Sequence, residues 1–196
     1  MKSKTSKKFI IPVIAALVIL FAIIVITKIK SNGDVVLSLD SFKSDNIYQF
    51  DDIKWGMSVD EVSRKLPTKL EKDTARVPLS SSSQNIVFYN CKNRYLLDEQ
   101  ISNASFEFHN GELKSIQFSF HLQDDYHQWF ENQVKKLTET YGTETKKTES
   151  SSDKTQMQRD MQSIVYVWDT DSTTLQFALL TGESIKPTAT LSIGLK

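Results

Sequence analysis

Alternating apolar and polar residues dominate the second half of the chain and predict antiparallel β-strands. Residues 104–108 read Ala-Ser-Phe-Glu-Phe, and residues 116–120 read Ile-Gln-Phe-Ser-Phe. Alternation with a period of two places one apolar row on the buried face of a sheet. Asn110-Gly111 lies between the two runs, and Asn-Gly flanked by alternating residues is the strongest short hairpin signal. The pattern therefore predicts a β-hairpin.

The register of this hairpin depends on its loop. A plain two-residue turn would set Phe106 opposite Ser115 and move one apolar row to the solvent side. A three-residue loop with a left-handed glycine instead sets Phe106 opposite Ile116 and Ala104 opposite Phe118. We expect the second arrangement, because it keeps both apolar rows on one face.

Five further apolar runs predict the remaining strands. They cover residues 86–91, 95–97, 163–168, 174–180 and 188–193. The first two are expected to pair around Lys92-Asn93, and the third and fourth around a turn at residues 169–172. The polar residues 143–162 form either a long mobile loop or an extended hairpin.

A capping box predicts the start of a short first helix. Ser58 is followed three residues later by Glu61, so each side chain can accept a hydrogen bond from the backbone N–H of the other. Met57 before the cap and Val62 in the next turn fit the accompanying hydrophobic staple. Pro67 ends the helix. The positions expected to be buried are Val59, Val62 and Leu66.

A stripe of apolar residues at helical spacing predicts a second helix over residues 125–141. The stripe consists of Tyr126, Phe130, Val134, Leu137 and Tyr141. Asp124 or Asp125 is expected to cap the N-terminus, and Gly142 is a suitable residue just past the C-terminus.

The order of these elements is helix, four strands, helix, three strands, which predicts an α+β fold. Each half places one helix before an antiparallel meander. Amphipathic helices cover one face of an antiparallel sheet, so we expect both helices on the same side of one sheet or of two abutting sheets.

Residues 9–27 are uncharged and nearly all apolar, which predicts a transmembrane helix. At 1.5 Å per residue the run is about 28 Å long, close to the roughly 30 Å hydrocarbon thickness of a bilayer. A cleaved signal peptide is the alternative, but its apolar stretch is about 7–15 residues long and ends at a small-x-small site. The present run continues into Thr27-Lys28-Ile29-Lys30, which offers no such site. We therefore expect an uncleaved anchor in the lipid bilayer.

The lysines around this run predict its orientation. Four precede it and two follow it closely. The positive-inside bias then puts the N-terminus in the cytoplasm and the C-terminal part outside the cell membrane, as a single-pass protein. The expected organisation is a basic cytoplasmic tail (1–8), the anchor (9–27), a stalk (28–45) and an extracytoplasmic domain (46–196).

The charge distribution limits the classes of partner. The whole chain is neutral, but residues 1–30 hold six lysines and no acid, which leaves residues 31–196 with a net charge of −6. A mildly acidic domain argues against nucleic-acid binding and against docking on anionic lipid. Abundant Lys, Ile, Ser and Thr with few Gly and Pro is typical of a low-GC bacterium.

A single cysteine, Cys91, excludes an internal disulfide. It lies on the same side of an alternating run as Val87 and Tyr89, which predicts a small buried apolar side chain. A nucleophile would need a base nearby, and no sequence signal supplies one. An intermolecular disulfide is the remaining alternative.

Histidines and carboxylates cluster at the start of the second helix. His121, Asp124, Asp125 and His127 carry the side chains that bind zinc. Their spacing matches no metal motif, and Asp at a helix start is ordinary capping, so we predict a capped helix and no metal site. His109, beside the Asn-Gly turn, is expected at an exposed strand end.

The remaining acidic pairs do not indicate a catalytic site. Asp169-x-Asp171 lacks the Gly and the distal Glu of a calcium loop and is typical of a hairpin turn. Asp51-Asp52 and Asp60-Glu61 are adjacent in sequence, so their side chains point apart. The sequence contains no phosphate-binding loop, serine elbow or Cys–His pair. We therefore predict no catalytic, cofactor-binding or metal residue and no cofactor.

The first helix start resembles the opening of SmpA/OmlA-type domains of outer-membrane assembly lipoproteins. Those begin with Gly-x-x-x-x-Glu-Val on a capped helix followed by a hairpin, and Gly56, Ser58, Glu61 and Val62 match. This chain has Leu66-Pro67 where the family has Leu-Gly-x-Pro, and it lacks the lipidated cysteine. The helix-then-meander order also resembles β-lactamase-inhibitor-like proteins. The resemblance implies an α+β fold and an interaction role, and it carries over no catalytic residue.

Three functions follow as hypotheses. The first is a membrane-anchored extracytoplasmic domain, not an enzyme, that binds another envelope protein as an assembly factor, accessory subunit or inhibitor-like binder. An exposed sheet face with aromatic residues would support it. The second is a small-ligand-binding sensor, which needs an apolar pocket between sheet and helices. The third is a cell-envelope hydrolase, which needs carboxylates and histidines that converge in a cleft.

Overall fold

The computed structural model describes residues 34–76, 85–123, 125–151 and 161–196. Backbone contacts divide the chain after Val35, and the second unit holds the domain. The expected transmembrane span at residues 9–27 lies outside the described residues. Within the described part, no helix is long and apolar enough to cross a bilayer, so the structure gives the expectation of a single-pass membrane protein no support.

The domain contains two helices and eleven strands in its described residues. The helices are α1 (Val59–Lys65) and α2 (Tyr126–Tyr141), and a 3-10 turn spans Leu39–Phe42. The strands are β1 (Asp34–Val36), β2 (Lys43–Ser44), β3 (Ile47–Tyr48), β4 (Leu70–Lys72), β5 (Ile86–Leu97), β6 (Gln100–His109), β7 (Glu112–His121), β8 (Lys146–Ser151), β9 (Gln162–Asp169), β10 (Thr173–Gly182) and β11 (Ile185–Leu195).

Nine of the strands form one sheet, which corrects the expected α+β class. The strand order is β1-β5-β6-β7-β11-β10-β9-β8, with β4 also pairing with β5, and β2 and β3 form a separate small sheet. Of the described residues, 54% are strand and 19% are helix, so the fold is mainly β. The expected balance of helix and strand was wrong. Of the two sheet arrangements left open, the structure has the single sheet, because β7 and β11, the last strands of the two meanders, pair along seven residues.

The β6–β7 hairpin pairs Phe106 with Ile116 and Ala104 with Phe118, which confirms the expected register. The expected three-residue loop is wrong. Asn110-Gly111 forms a two-residue turn in which both residues have positive φ, 52° and 86°. Turns of this kind match the twist of the flanking strands, and Asn-Gly is their preferred sequence.

A bulge in β7 restores the register that the short turn alone would lose. Phe108 lies opposite Leu113, but the next residue, Glu107, lies opposite Ser115. Lys114 is therefore the extra residue on β7. One inserted residue moves every following side chain to the other face, so the apolar rows of both strands return to the same face.

Gly194 fits closely against this bulge. It lies opposite Ser115 in the β7–β11 pairing. A Cβ at this position would lie 3.0 Å from the backbone oxygen of Lys114 and 3.1 Å from the Cβ of Ser115. A side chain at position 194 would therefore be crowded against the bulge unless the bulge shifted by a few tenths of an ångström.

β5 is one continuous strand, which corrects the expected hairpin around Lys92-Asn93. Cys91 pairs with Ala104 and Arg94 with Asn103, so residues 92–93 form a bulge within the strand. Asn93 is buried, and its Oδ1 accepts a hydrogen bond of 2.7 Å from the hydroxyl of Thr68. Thr68, which is distant in sequence, thus supplies a hydrogen bond to the buried side chain of Asn93, a residue that the sequence pattern had placed in a turn.

The segment before α1 lies in the core, where a stalk to residue 45 was expected. Leu37, Leu39 and Phe42 are buried. The ring of Phe118 contacts three other rings, with centroid separations between 5.1 and 5.8 Å. Those rings belong to Phe42, Phe50 and Tyr95.

The capping box of α1 is confirmed. The backbone N–H of Ser58 donates to the Glu61 carboxylate at 2.8 Å, and the N–H of Glu61 donates to the Ser58 hydroxyl at 3.4 Å. The hydrogen bonds from Ser58 hold the pKa of Glu61 below its usual value. Val62 is fully buried, while Val59 and Leu66 are half-buried.

α2 also lies where its apolar stripe indicates, and Asp125 occupies the N-cap position without capping through its side chain. Asp125 has a left-handed φ of 66° and makes no capping hydrogen bond with its side chain, and Asp124 lies outside the described residues. Phe130 stacks on Phe177 of β10 with centroids 4.6 Å apart. Gly142 ends the helix and donates its N–H to Thr138.

The polar stretch after α2 contains β8, in an antiparallel pair with β9. Of the two alternatives left open, the pairing corresponds to the extended hairpin. Residues 152–160, between the two strands, lie outside the described residues.

A charged contact joins α2 to the β5–β6 turn. Asp98 lies at a left-handed φ of 43° in that turn, pairs with Lys136 and accepts a hydrogen bond of 2.8 Å from Gln133. The hydrogen bond from Lys136, and then that from Gln133, lowers the pKa of Asp98. Its side chain is 46% exposed, so solvent screens the pair and the stabilisation is modest.

We expect Gly194→Ala to lower the free energy of unfolding by about 1–3 kcal/mol, because the new methyl group overpacks the site. Urea unfolding monitored by circular dichroism measures this. Ser192→Ala, on the same face of the same strand, is the matched control and should lower stability by less than about 0.5 kcal/mol. Equal stability of the two variants would show that the bulge can move away from the added Cβ.

We expect Asp98→Asn to lower stability by less than about 1 kcal/mol near neutral pH. Asparagine tolerates the left-handed φ, so the change isolates the charge. Because the folded-state pKa is lowered, the contribution is present above the unfolded-state pKa of about 3.9 and is lost as pH falls through the folded-state value. Unfolding midpoints of wild type and variant should converge below about pH 4. Asp171→Asn, in the exposed β9–β10 turn, is the control, and an equal pH dependence for it would contradict this explanation.

Candidate interaction face

Side chains on the sheet alternate between the core and a second face, which we call the open face. Phe106, Phe118 and Leu191 point into the core and are fully buried. Their neighbours, among them Ser105 and Gln117, point to the open face and are partly exposed. The strand registers therefore define a second surface of the sheet.

Three rows of residues cross the open face in register. The central row is Asn90, Ser105, Gln117, Ser192, Gln176 and Val167, from six adjacent strands. The row on one side is Arg94, Asn103, Ser119, Thr190, Ala178 and Val165. The row on the other side is Phe88, Glu107, Ser115, Gly194, Thr174 and Asp169.

The central row holds no charged residue. The flanking rows hold three, which are Glu107 of β6, Arg94 at the β5 end of one row and Asp169 at the β9 end of the other. Neighbouring strands lie about 4.8 Å apart, so the central row is about 24 Å long. Hydroxyl and amide side chains make up most of the central row. The interaction hypothesis had predicted exposed aromatic residues instead.

Arg76 extends over one end of this face. Its guanidinium lies 4.3 Å from the ring centroid of Phe88. It also donates hydrogen bonds to Ser105 Oγ at 3.3 Å and to Gln117 Oε1 at 3.4 Å. Arg76 thus supplies a positive charge above β5, β6 and β7.

Asp73 fixes the loop that carries Arg76. Its carboxylate accepts hydrogen bonds from the backbone N–H groups of Ala75 and Arg76 at 3.0 and 3.2 Å. It also accepts one of 3.1 Å from the amide of Asn90. The Asn90 hydrogen bond is the largest cause that holds the pKa of Asp73 below its usual value. The arginine is therefore positioned by a connected set of hydrogen bonds.

Glu107 joins a histidine and a serine at the hairpin end of the face. Its Oε1 lies 2.6 Å from His109 Nε2, and its Oε2 accepts a hydrogen bond of 2.8 Å from Ser115 Oγ. In a hydrolytic triad the histidine lies between serine and carboxylate. Here the histidine and the serine both contact the carboxylate, which links β6 to β7. The serine–histidine contact that activates a nucleophile is not formed in this cluster.

Cys91 is buried and reduced, on the core face of β5. The hydroxyl of Tyr95 lies 3.6 Å from its sulfur, and that of Thr68 lies 3.4 Å away. Burial, and then the contact with Cys91, raises the pKa of Tyr95. The position agrees with the expected small buried side chain.

The residues considered as zinc ligands do not converge in the described part of the chain. His121 lies 3.5 Å from the Thr188 hydroxyl, whereas His127 packs on the ring of Tyr126. No group of three or more His, Cys, Asp or Glu side chains that could hold a metal occurs among the described residues.

The paired acids have structural contacts. Asp169 and Asp171 flank the β9–β10 hairpin, where the backbone N–H of Thr170 donates to the carbonyl of Thr173. Asp52 pairs with Lys65, whose hydrogen bond lowers the pKa of Asp52. For Asp51, burial and then the charge of Asp52 raise the pKa. Glu61 is used in the capping box.

Two surface clefts lie away from the open face. The larger, of about 360 Å³, is lined by Tyr126, Met161, Gln162, Thr181 and Glu183, among others. The other, of about 310 Å³, lies between the N-terminal segment and α2, with Leu37, Leu39 and Leu97 beside charged Asp40, Asp98 and Lys136. Both are open to solvent, which differs from the apolar pocket that a ligand sensor needs.

The sequence analysis missed the open face, although part of its signal was present. Apolar alternation was used to place the core, and the residues between the apolar positions were not examined as a set. In 104–108 and 116–120 these intervening residues are Ser105, Glu107, Gln117 and Ser119. Their polar character and low charge could be seen in the sequence. Their alignment with residues of β10 and β11 could not, because it depends on the pairing of distant strands.

Comparison with known proteins places the chain in a family but does not assign a function. Residues 50–191 match the sequence profile of a family described as "Uncharacterised protein", and the chain therefore belongs to that family. Searches of curated proteins and of solved structures found no match. The resemblance to SmpA/OmlA-type and inhibitor-like proteins gains no support from this match and stays a prediction.

Proposed function

We propose that this domain binds another protein through the open face of its sheet. The observation that carries the proposal is the register of the central row, which aligns uncharged side chains across six strands. The centres of protein interfaces are depleted of charged residues, because each buried charge must be desolvated. The uncharged central row can be covered by a partner without that penalty.

The shape of the open face also favours a protein partner over a small ligand. Hydrogen-bonding groups are spread over about 24 Å along the central row, and a small molecule would contact few of them. A folded partner with a flat surface of hydroxyl, amide and backbone groups could contact several rows at once. Arg76 at one end offers a site for a carboxylate of that partner.

The hydrolase hypothesis lacks a matching site among the described residues. Glu107, His109 and Ser115 form the one cluster that combines the three residue types on the open face, and their geometry braces the hairpin. The observations therefore favour binding over hydrolysis as the function of this face.

Photo-crosslinking tests the location of the interface. We expect a photoreactive amino acid at Gln117, Gln176 or Thr190 to crosslink to the same partner in cells. Placed at Glu131 or Lys135, which are exposed on α2, it should give no adduct with that partner. Adducts at the α2 positions instead, or different proteins at each open-face position, would contradict the proposal.

A matched pair of arginine substitutions tests the energetics. We expect Ser192→Arg to weaken binding of the crosslinked partner by about tenfold or more, because it buries an unpaired charge at the centre of the face. Ser172→Arg, in the exposed β9–β10 turn, adds the same charge outside the face and should leave binding unchanged. Retained binding by the first variant, with folding verified by circular dichroism, would rule out the open face.

A further inference from the structure

β8 forms an outer edge of the sheet in the part of the chain that the structure describes. It pairs with β9 on one side, and all six of its residues are exposed. An edge strand presents unpaired backbone N–H and C=O groups, which can pair with a strand of another chain. Lysines on an edge commonly discourage such pairing, so the placement of the charges decides what this edge can accept.

Two charges on β8 share one face of the strand. Lys147 lies opposite Tyr166 of β9 and Glu149 lies opposite Ile164, both on the core side of the sheet. Their side chains contact each other, with Nζ and Oε1 2.7 Å apart. They remain substantially exposed, at 44% and 61% respectively, so a strand added at the edge could reach both.

Symmetry restricts how β8 could pair with its own copy. Opposite residues of an antiparallel pair point to the same face of the sheet, whereas neighbouring residues of one strand point to opposite faces. A two-fold axis normal to the sheet must therefore pass beside one residue, which then lies opposite the same residue of the second copy. An axis at Lys147 or at Glu149 sets like charges opposite each other, which is destabilising. An axis at Thr148 sets Lys147 of each copy opposite Glu149 of the other.

We propose that two copies of this chain associate by antiparallel pairing of β8, with Thr148 facing its counterpart and the two sheets joined into one. The Thr148 register pairs five residues on each strand, 146–150, and forms two complementary charge pairs without any like-charge pair. This self-association is independent of the open face and goes beyond the function proposed for it.

Charge exchange tests the proposed register. Sedimentation equilibrium of the chain of residues 1–196 gives the dimer dissociation constant. We expect Lys147→Glu and Glu149→Lys each to weaken the dimer by about tenfold or more, because each sets like charges opposite one another twice. The double exchange, Lys147→Glu with Glu149→Lys, restores both pairs and should return the constant to within about threefold of wild type.

Disulfide trapping tests the same register by distance. Opposite Cα atoms in an antiparallel pair lie about 4.5–5.5 Å apart, within the range that a disulfide spans. We expect Thr148→Cys to form a covalent dimer on mild oxidation. Ser150→Cys alone should not, because Ser150 of the two copies would be offset by roughly 14 Å along the strands. Mixing Lys146→Cys with Ser150→Cys should give a covalent heterodimer.

The wild type, whose one cysteine is buried, supplies the background for crosslinking. Circular dichroism of each variant verifies that the fold is intact. A monomeric wild type, a dimer that the single charge variants leave unchanged, or equal crosslinking of Thr148→Cys and Ser150→Cys would overturn the proposal. Full rescue by the double exchange together with Thr148-specific crosslinking would establish it.

Discussion

The pairing of β7 with β11 is the interaction on which the rest of the domain depends. These are the last strands of the two meanders, and they lie in the middle of the sheet. Phe118 of β7 faces Leu191 of β11, and its ring also packs against Phe42, Phe50 and Tyr95. One strand pair therefore joins the two halves of the chain, and its core side chain also holds the N-terminal segment in place.

The register of β7 against β6 is set by a bulge together with the turn between them. The two-residue turn at Asn110-Gly111 alone would put Phe106 opposite Ser115, and the apolar row of β7 would then lie on the open face. The extra residue Lys114 prevents this, and Gly194 leaves room for it on the neighbouring strand. One inserted residue therefore keeps the apolar row of β7 on the core side, and the glycine at position 194 avoids a close contact with that residue.

Local signals predicted the elements whose cause is local. The capping box at Ser58 and the apolar stripe of α2 were readable because their partners lie within a few residues. The continuity of β5 was not, since Asn93 is satisfied by Thr68, 25 positions away. The open face could not be assembled for the same reason: Gln117 and Ser192 are neighbours only because distant strands pair. No sequence pattern marked β8, whose residues are all polar and which is held by backbone pairing with β9.

The proposed self-association determines how the open faces of two copies would be used. A two-fold axis normal to the sheet keeps both open faces on the same side. Lys146 lies on this side, because it is opposite Val167 at the end of the central row. The seam would then carry one lysine from each copy, which interrupts the neutral surface. Two separate uncharged central rows would result, so a partner with two matching sites would bind the second with a high effective concentration.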